Sequence, residues 1–234
     1  MASPTQIDSL DNPIWHSLFT LNARFSEGGD LARRFQPEIG PLAGLKEQSE
    51  EAYRELGELL TPGEYAVLFL DSEPQPPEGW RLHRHASGDQ MICFNPSLAQ
   101  PLDLPMQPLS GDDVQEMLAL TKLTDPGPFR SRTIELGDFL GIREDGRLAA
   151  MAGQRLALPG FTEISAVCTH PDFRGRGYAQ ALVAKIVDTI RERGETPILH
   201  VYSSNTAAIR VYESLRFVLR RKLHVAVVQA PPRA

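Results

Sequence analysis

The sequence has few cysteines and no long hydrophobic run. Cys93 and Cys168 are the two cysteines of the 234 residues, and their spacing matches neither a disulfide framework nor a metal site. A reducing, cytoplasmic location is therefore expected. No apolar stretch approaches the roughly 20 residues that a membrane-spanning helix needs, and the polar first residues lack the features of a secretory signal. Because of these absences, we expect neither a secreted disulfide-rich protein nor a membrane protein. We also expect no bound metal.

The chain also lacks the strong excess of positive charge that is typical of nucleic-acid binding. Its formal net charge is -6. Residues 1–105 hold 7 basic and 16 acidic side chains, for a net charge of -9, whereas residues 106–234 hold 17 and 14, for +3. No nucleic-acid partner is expected. The mildly basic second half is compatible with a small anionic ligand.

A proline-rich segment divides the chain. Residues 95–108 contain four prolines and little periodic pattern, which indicates a linker. We therefore predict an N-terminal α/β domain over residues 1–104 and a second domain over residues 105–234. The first domain contains no chemical motif. His83 and His85 share one strand face, and an exposed face is a better interpretation of them than a metal pair.

The second half alternates strands and helices without regular βαβ repetition, which predicts an α/β (α+β) fold with a mixed central sheet flanked by helices. Asp145-Gly146 is a strong hairpin-turn signal. One helix is predicted to begin at Pro13, and four more are predicted over residues 49–60, 110–123, 177–193 and 206–215. Strands are predicted over residues 65–70, 139–142, 148–158, 162–169, 198–202 and 218–228. Residues 80–85 and 90–94 are predicted to pair as a hairpin.

The most informative segment is Arg174-Gly-Arg-Gly177, which lies between a predicted strand and a predicted helix. The first turn of a helix has unpaired backbone N–H groups and a positive dipole, and glycines let a phosphate approach them. Arg174 and Arg176 add positive charge. The segment predicts a pyrophosphate cradle, although a plain glycine turn with two solvated arginines is the alternative. A Walker loop is excluded because Gly-Lys-Ser/Thr is missing, and the third glycine of a Rossmann fingerprint is absent at Gln180.

Arg174-x-x-Gly177-x-Ala179 resembles the Gln/Arg-x-x-Gly-x-Gly/Ala signature of the GNAT superfamily of acetyltransferases. The resemblance extends over residues 106–228. It implies a mixed, mostly antiparallel central sheet and a pyrophosphate of acetyl-CoA held by backbone amides. The cofactor-binding residues that it implies are Val167, Cys168, Thr169, Arg174, Gly175, Arg176, Gly177, Tyr178, Ala179, Asn205, Ala208 and Tyr212.

A second part of the resemblance lies after the strand at 198–202. Asn205-x-x-Ala208-x-x-x-Tyr212 with Phe217 is similar to the family pattern, except that Arg216 replaces the usual glycine. The resemblance implies that Asn205 contacts the cofactor and that Tyr212 protonates the departing thiolate. A phenol with an ordinary pKa near 10 is protonated at neutral pH and suits this role. A packed, purely structural tyrosine is the alternative.

Glu163 is the candidate general base and a candidate acceptor contact, since family members that use a carboxylate here have it at this offset from the signature. The alternative is a solvated carboxylate at a strand end. The resemblance also implies a β-bulge in this strand, which admits the pantetheine arm. An acyl-cysteine at Cys168 is less favoured than a buried thiol, and His170 and His200 are interpreted as a turn residue and a core histidine.

The loop at residues 124–132 is expected to cover the acceptor site, with Phe129 and Arg130 as candidate substrate contacts. Alternatively, Phe129 anchors the loop, and Arg130 and Arg132 lie at the surface. The predicted function is direct transfer of acetyl from acetyl-CoA to a primary amine of a small molecule or peptide. A non-catalytic acyl-CoA sensor and a plain nucleotide-binding protein are the competing hypotheses. The N-terminal half is additionally considered as a degenerate copy of the same fold.

Overall fold

The structure is a computed structural model, and it describes residues 7–95 and 104–232. Its helices are α1 (Pro13–Phe19), α2 (Glu50–Leu59), α3 (Val114–Thr124), α4 (Tyr178–Glu192) and α5 (Thr206–Ser214). Its strands are β1 (Ser26–Gly28), β2 (Ala32–Phe35), β3 (Ala43–Leu45), β4 (Tyr65–Leu70), β5 (Arg81–Ile92), β6 (Met106–Pro108), β7 (Phe139–Glu144), β8 (Arg147–Leu158), β9 (Phe161–Thr169), β10 (Thr196–Tyr202) and β11 (Val218–Gln229). No helix in these two ranges has the length and apolar character needed to span a membrane.

Local sequence explains where these elements begin and end. The Ser49 hydroxyl accepts a hydrogen bond from the Ala52 amide and caps α2, as polar side chains do at helix starts. Asp145 and Gly146 both have positive φ values, 50° and 76°, as the two-residue turn of the β7–β8 hairpin requires. The predicted helices and this hairpin are confirmed.

The main sheet has eight strands in the order β4-β11-β5-β10-β9-β8-β7-β6. Every neighbouring pair is antiparallel except β9 and β10, which are parallel. The prediction of a mixed, mostly antiparallel sheet is confirmed. The single parallel pair lies near the middle of the sheet, and it proves to be the place where the sheet opens.

Strands from both sides of the predicted boundary at residue 104 share this sheet. β5 lies between β11 and β10, and β4 forms one edge. The division into 1–104 and 105–234 therefore does not divide the sheet. Residues 7–95 also contain α1, α2 and the separate three-stranded β1-β2-β3 sheet. In the described part of this half, this arrangement gives no support to the idea of a degenerate copy. Part of the predicted linker, residues 96–103, lies outside the described residues.

The predicted hairpin of 80–85 with 90–94 is wrong. β5 runs without a turn from Arg81 to Ile92 and pairs with β11 along its length. Gly88 lies within this continuous strand, and it packs closely against β11. A Cβ at Gly88 would lie 2.9 Å from the Leu223 side chain and 3.0 Å from that of Val225, so a larger residue would displace these neighbours.

The sheet separates two hydrophobic cores. Met91 and Leu199 face one core, which α4 and α5 cover, and their neighbours Ile92 and Ile198 face the other, which contains residues of α1. This alternation follows from the two-residue period of a strand. Both faces of the central strands are therefore buried, which fixes their register.

Candidate active site

The parallel strands β9 and β10 separate halfway along their length. Their register runs from Thr196 opposite Phe161 to Leu199 opposite Ile164 and ends there. β10 continues to Tyr202, paired on its other side with β5. Beyond Ile164, β9 therefore has backbone groups without a neighbour on that edge, and a gap opens between the two strands.

A β-bulge accompanies this separation. In the pairing of β8 with β9, Met151 is opposite Cys168 and Gly153 is opposite Ser165, so two residues of β9 correspond to one of β8. Ala166, inside this bulge, has a φ of 53°, which is uncommon for a residue other than glycine. The expected bulge is confirmed.

A cavity of about 140 Å³ occupies the gap. β9, β10 and α5 line one part of it, the loop at 125–128 lines another, and apolar side chains from the N-terminal half and β11 complete it. Its lining residues include Leu42, Val67, Phe69, Gly88, Asp125, Arg155, Ser165, Ala166, Val167, His200, Tyr202, Asn205, Ala208, Tyr212 and Val225. Four of the sequence-predicted residues, Val167, Asn205, Ala208 and Tyr212, are thus brought together.

The glycine loop precedes α4 as predicted. Gly175 and Gly177 have φ values of 79° and 78°, a conformation that favours glycine, and the space beside Gly175 is open. Among the described residues, the amides of residues 175–179 have no hydrogen-bond acceptor. Gln180 donates to the Ser214 hydroxyl over 3.2 Å, so the start of α4 lies beside the end of α5. The loop therefore presents unpaired donors next to the helix that lines the cavity.

The two arginines of the loop differ in their surroundings. Arg174 is exposed. Arg176 lies 5.1 Å from the centre of the Phe173 ring, and a hydrogen bond with Tyr178 raises the pKa of its guanidinium. Tyr178 is buried, and its hydroxyl donates to Glu144 in the β7–β8 hairpin. Tyr178 thus ties the start of α4 to the sheet, and Arg174 is the less constrained cation beside the loop.

Asn205 and Tyr212 occupy one face of α5. The Asn205 side-chain oxygen accepts from the Ala208 amide over 3.2 Å and caps the helix. Tyr212 is buried, with its ring edge-to-face against Phe217 at 6.1 Å. Burial, and secondarily Cys168, raises the pKa of Tyr212 to about 12, so its hydroxyl remains protonated at neutral pH. Arg216 adopts a φ of 69°, so it takes the conformation for which the family pattern has glycine.

Glu163 lies behind the cavity wall and is fully buried. Its oxygens accept from Arg155 Nε at 2.8 Å, Arg155 Nη2 at 2.6 Å, the Leu156 amide at 3.2 Å and His200 Nδ1 at 2.7 Å. Burial alone would raise the pKa of Glu163, but Arg155 and His200 hold it at about 2. A carboxylate so strongly stabilised is a poor proton acceptor. The predictions of a general base and of a substrate contact at Glu163 are therefore corrected to a structural anion.

His200 lies in the cavity wall with both ring nitrogens engaged. Nδ1 faces Glu163, and Nε2 lies 3.0 Å from Gln90 Nε2. Gln90 also donates to the Leu10 carbonyl over 2.8 Å and accepts from Arg220 over 2.8 Å. This pattern makes Nδ1 the donor to Glu163 and Nε2 the acceptor from Gln90. His200 is a hydrogen-bonded core histidine, as the sequence indicated.

Cys168 and Thr169 do not line the cavity. Both pair with β8, opposite Met151 and Ala150. Cys168 is buried, and burial raises the pKa of its thiol to about 11, which leaves little nucleophilic thiolate. The side chain of Cys168 packs in the core that contains Phe139. The structure thus gives no support to an acyl-cysteine.

Neither Phe129 nor Arg130 lines the cavity, so this cavity gives no support to the acceptor contacts predicted there. Phe129 packs edge-to-face on Phe139 at 5.8 Å, and Arg130 donates to the Pro37 carbonyl. Residues 125–128 of the same loop line the cavity instead. Asp125 is exposed there, with a φ of 47°.

The remaining histidines belong to hydrogen-bonded pairs. His83 Nε2 lies 2.7 Å from Gln229 Oε1, and His85 Nε2 lies 2.8 Å from His224 Nδ1. His170 caps a short helical turn by accepting from the Asp172 amide. Within residues 7–95 and 104–232, no group of three or more potential metal ligands occurs.

Comparison with known proteins agrees with this geometry. The family model described as FR47-like protein matches residues 139–225. The crystal structure of an acetyltransferase assigned to the GNAT family from Novosphingobium aromaticivorans is 39% identical, covers 95% of this chain and 99% of its own, and superimposes with a TM-score of 0.87. A GCN5-related N-acetyltransferase from Kribbella flavida has the same fold at 13% identity, with a TM-score of 0.65 over 100% and 98% of the two chains.

A curated relative is also found over part of the chain. The ribosomal protein bS18-alanine N-acetyltransferase of Escherichia coli strain K12 is 34% identical over 77 residues, which are 32% of this chain and 51% of that protein. The chain thus spans about half the length of the curated relatives that it matches first.

Proposed function

The chain belongs to the GNAT family of acetyltransferases, and we propose that it transfers an acetyl group from acetyl-CoA to a primary amine of a small molecule or peptide by direct attack. The single observation that carries this proposal is the gap between β9 and β10, which Tyr212 lines next to the unpaired amides at the start of α4. A diphosphate and a thioester on one flexible arm fit this arrangement. No metal takes part in the proposed reaction.

The diphosphate of CoA would bind the amides of residues 175–179. This segment supplies five unpaired N–H groups, and the positive end of the α4 dipole would add to their attraction for the anion. Arg174 would add a charge-assisted contact. The positive φ of Gly175 and Gly177 gives the loop the curvature that such a cradle needs.

The pantetheine arm would lie in the gap. Residues 165–167 of β9 have no strand partner on the side facing β10, so their backbone groups can hydrogen-bond the amides of the arm. Asn205 and Ala208 form the wall beside it. This placement brings the thioester sulfur toward Tyr212.

In the proposed reaction, the lone pair of a neutral amine attacks the thioester carbonyl carbon, forming the C–N bond. When the C–S bond breaks, the Tyr212 hydroxyl gives its proton to the departing sulfur. The proton lost by the amine leaves to water at the mouth of the cavity, beside the exposed Asp125, and a proton from water restores the tyrosine. The products are the amide and free CoA.

Two measurements together test this function. Calorimetry with CoA measures binding, and release of free thiol from acetyl-CoA measures transfer to amines, amino acids and peptides. We expect micromolar binding, on the order of -8 kcal/mol, and turnover that depends on the amine. Binding without turnover of any amine would favour the acyl-CoA sensor, and binding of ATP or NAD but not CoA would contradict the proposal outright. The bS18-alanine relative supports including peptides with N-terminal alanine in this panel.

A further inference from the structure

Arg155 lines the cavity although its side chain is 9% exposed and paired with Glu163. A guanidinium has five N–H donors. One donor on Nε and one on Nη2 bind Glu163, at 2.8 and 2.6 Å. Among the described residues, Nη1 has no hydrogen-bond acceptor. Because Arg155 lines the cavity and Nη1 has no protein acceptor, a ligand that supplies acceptors to this edge gains a charge-assisted contact.

The remaining edge of Arg155 is fixed in orientation. Nε and Nη2 share the edge that binds Glu163, so the second hydrogen of Nη2 and the hydrogens of Nη1 form the outer edge. Glu163 is itself held by the Leu156 amide and by His200, at 3.2 and 2.7 Å. The guanidinium carbon also lies 5.9 Å from the centre of the Phe69 ring. A planar, fixed pair of donors suits the two oxygens of a carboxylate.

An apolar wall stands next to this edge. Leu42, Val67, Phe69 and Val225 line the cavity from the N-terminal half and β11. The cavity volume of about 140 Å³ is well below the roughly 300–1,000 Å³ of sites for drug-sized ligands. A cavity of this size excludes bulky acceptors, and its apolar wall favours an acceptor with a small apolar side chain.

Charge at the mouth of the cavity completes the pattern. Asp125 is the acidic member of the cavity lining within the described residues, and it attracts an incoming ammonium group. The site thus combines a carboxylate-binding edge, an apolar wall and an acidic entrance next to Tyr212.

We propose that the acceptor is a free α-amino acid with an apolar side chain, and that Arg155 binds its carboxylate through the Nη1–Nη2 edge. This inference rests on the proposed acetyl transfer and names its substrate class. Glu163 and His200 then serve as positioning residues that hold the guanidinium in place.

The wild-type protein tests this proposal with three acceptors of equal side chain: L-leucine, L-leucinamide and 3-methylbutylamine. Leucine should exceed 3-methylbutylamine in kcat/KM by about 100-fold, because the amine lacks the oxygens that would accept from the Nη1–Nη2 edge of Arg155. Leucinamide should fall between them. If all three acceptors, or leucine and leucinamide, have equal kcat/KM values, Arg155 does not bind a substrate carboxylate. Acetyl transfer itself would not be contradicted by that result.

Arg155→Lys provides the matched variant, since lysine keeps a cation beside Glu163 but loses the planar pair of donors. The ratio of the kcat/KM values for leucine and 3-methylbutylamine should fall below about tenfold in this variant. Arg143→Lys, which alters an ion pair with Asp113 and Glu116 outside the cavity, should leave the preference unchanged. An unchanged preference in Arg155→Lys overturns the proposal.

A binding measurement separates the two levels of inference. In the presence of free CoA, leucine should bind to the wild-type protein and 3-methylbutylamine should not, whether or not turnover is seen. If CoA itself does not bind, the proposed function fails. If CoA binds but leucine and 3-methylbutylamine bind equally well, only the role of Arg155 in binding a carboxylate is overturned. If the melting temperature shows that Arg155→Lys does not fold, the acceptor preference of the wild-type protein and this binding measurement still test the proposal.

Discussion

Ile164 of β9 and Leu199 of β10 form the last pair in the parallel register of the two strands. Three residues further along, Val167 and Tyr202 line the cavity that the strands enclose. The opening is built into the fold, because the bulge at Ala166 turns β9 away while β10 stays paired with β5. A groove for an extended ligand therefore exists in the protein before any ligand binds.

Gly175→Ala should weaken CoA binding about tenfold or more, about 1.4 kcal/mol. A Cβ at Gly175 meets open space, so the main cost is the φ of 79°, which alanine adopts with about 1–2 kcal/mol of strain. Relaxing that strain would turn the amides away from the diphosphate. Calorimetry with CoA measures the effect.

Gly63→Ala is the matched control for this substitution. Gly63 has a φ of 84° and equally open surroundings, but it lies in a turn before β4. The two variants should lose similar stability, and only Gly175→Ala should lose affinity for CoA. Equal affinities would show that the loop does not hold the cofactor.

Tyr212→Phe should lower kcat by about 100-fold, the range expected when a general acid is removed. Its affinity for CoA should change little. Because the pKa of Tyr212 is about 12, the wild-type rate should rise as the acceptor amine loses its proton and should not decline up to about pH 10. Thiol-release assays across this pH range measure both effects.

Tyr53→Phe serves as the comparison for Tyr212→Phe. Tyr53 is also buried and donates a hydrogen bond, to Gln48 over 3.2 Å, but it belongs to a different core. Its loss should affect stability and leave kcat unchanged. If Tyr212→Phe retained full activity, the acid role would be excluded.

Glu163→Gln should lower the free energy of unfolding by about 3–5 kcal/mol, because it leaves the buried Arg155 without its counter-ion. The pKa of Glu163 is lowered from 4.5 to about 2, so its ionisation stabilises the folded state above about pH 4.5. That contribution is lost as the pH falls from about 4.5 toward 2. Urea unfolding at several pH values should show that the wild-type protein and the variant differ most in free energy of unfolding above pH 5 and differ less below pH 4. A difference in the free energy of unfolding that does not change with pH would contradict the ion-pair account.

Asp125→Asn should raise KM for a cationic acceptor by about three- to tenfold and leave kcat nearly unchanged, since it removes a charge at the cavity mouth. Asparagine tolerates the positive φ of this position, so the loop should keep its shape. Added salt should reduce the difference in KM between the wild-type protein and Asp125→Asn. Asp188→Asn, on the exposed side of α4, removes the same charge and should leave KM unaltered.

The sequence predicted those parts of the site whose signal is local. The glycine loop, the α5 face with Tyr212 and the bulge in β9 follow from short motifs and from the family resemblance that they carry. Arg155 was not predicted, because its partner Glu163 lies across the β8–β9 hairpin. The family's offset from the glycine signature suggested a base at Glu163, but only the three-dimensional surroundings show that Arg155 and His200 already stabilise its charge.

Leu42 and Phe69 were not predicted either, since they reach the cavity from the N-terminal half, where no chemical motif occurs. The misread β5 has a similar cause. Ser87-Gly88-Asp89 has the composition of a turn, yet pairing with β11 on one side and β10 on the other extends it into a strand. Long-range pairing here overrides local preference.

The most direct test of the central claim is an amide chemical-shift titration of the ¹⁵N-labelled protein with CoA and, separately, with pantetheine, which lacks the diphosphate. The account predicts that the amides of residues 175–179 shift strongly with CoA and remain in place with pantetheine, while Val167 and Tyr212 respond to both. Loop amides that ignore CoA, or that respond equally to pantetheine, would contradict it.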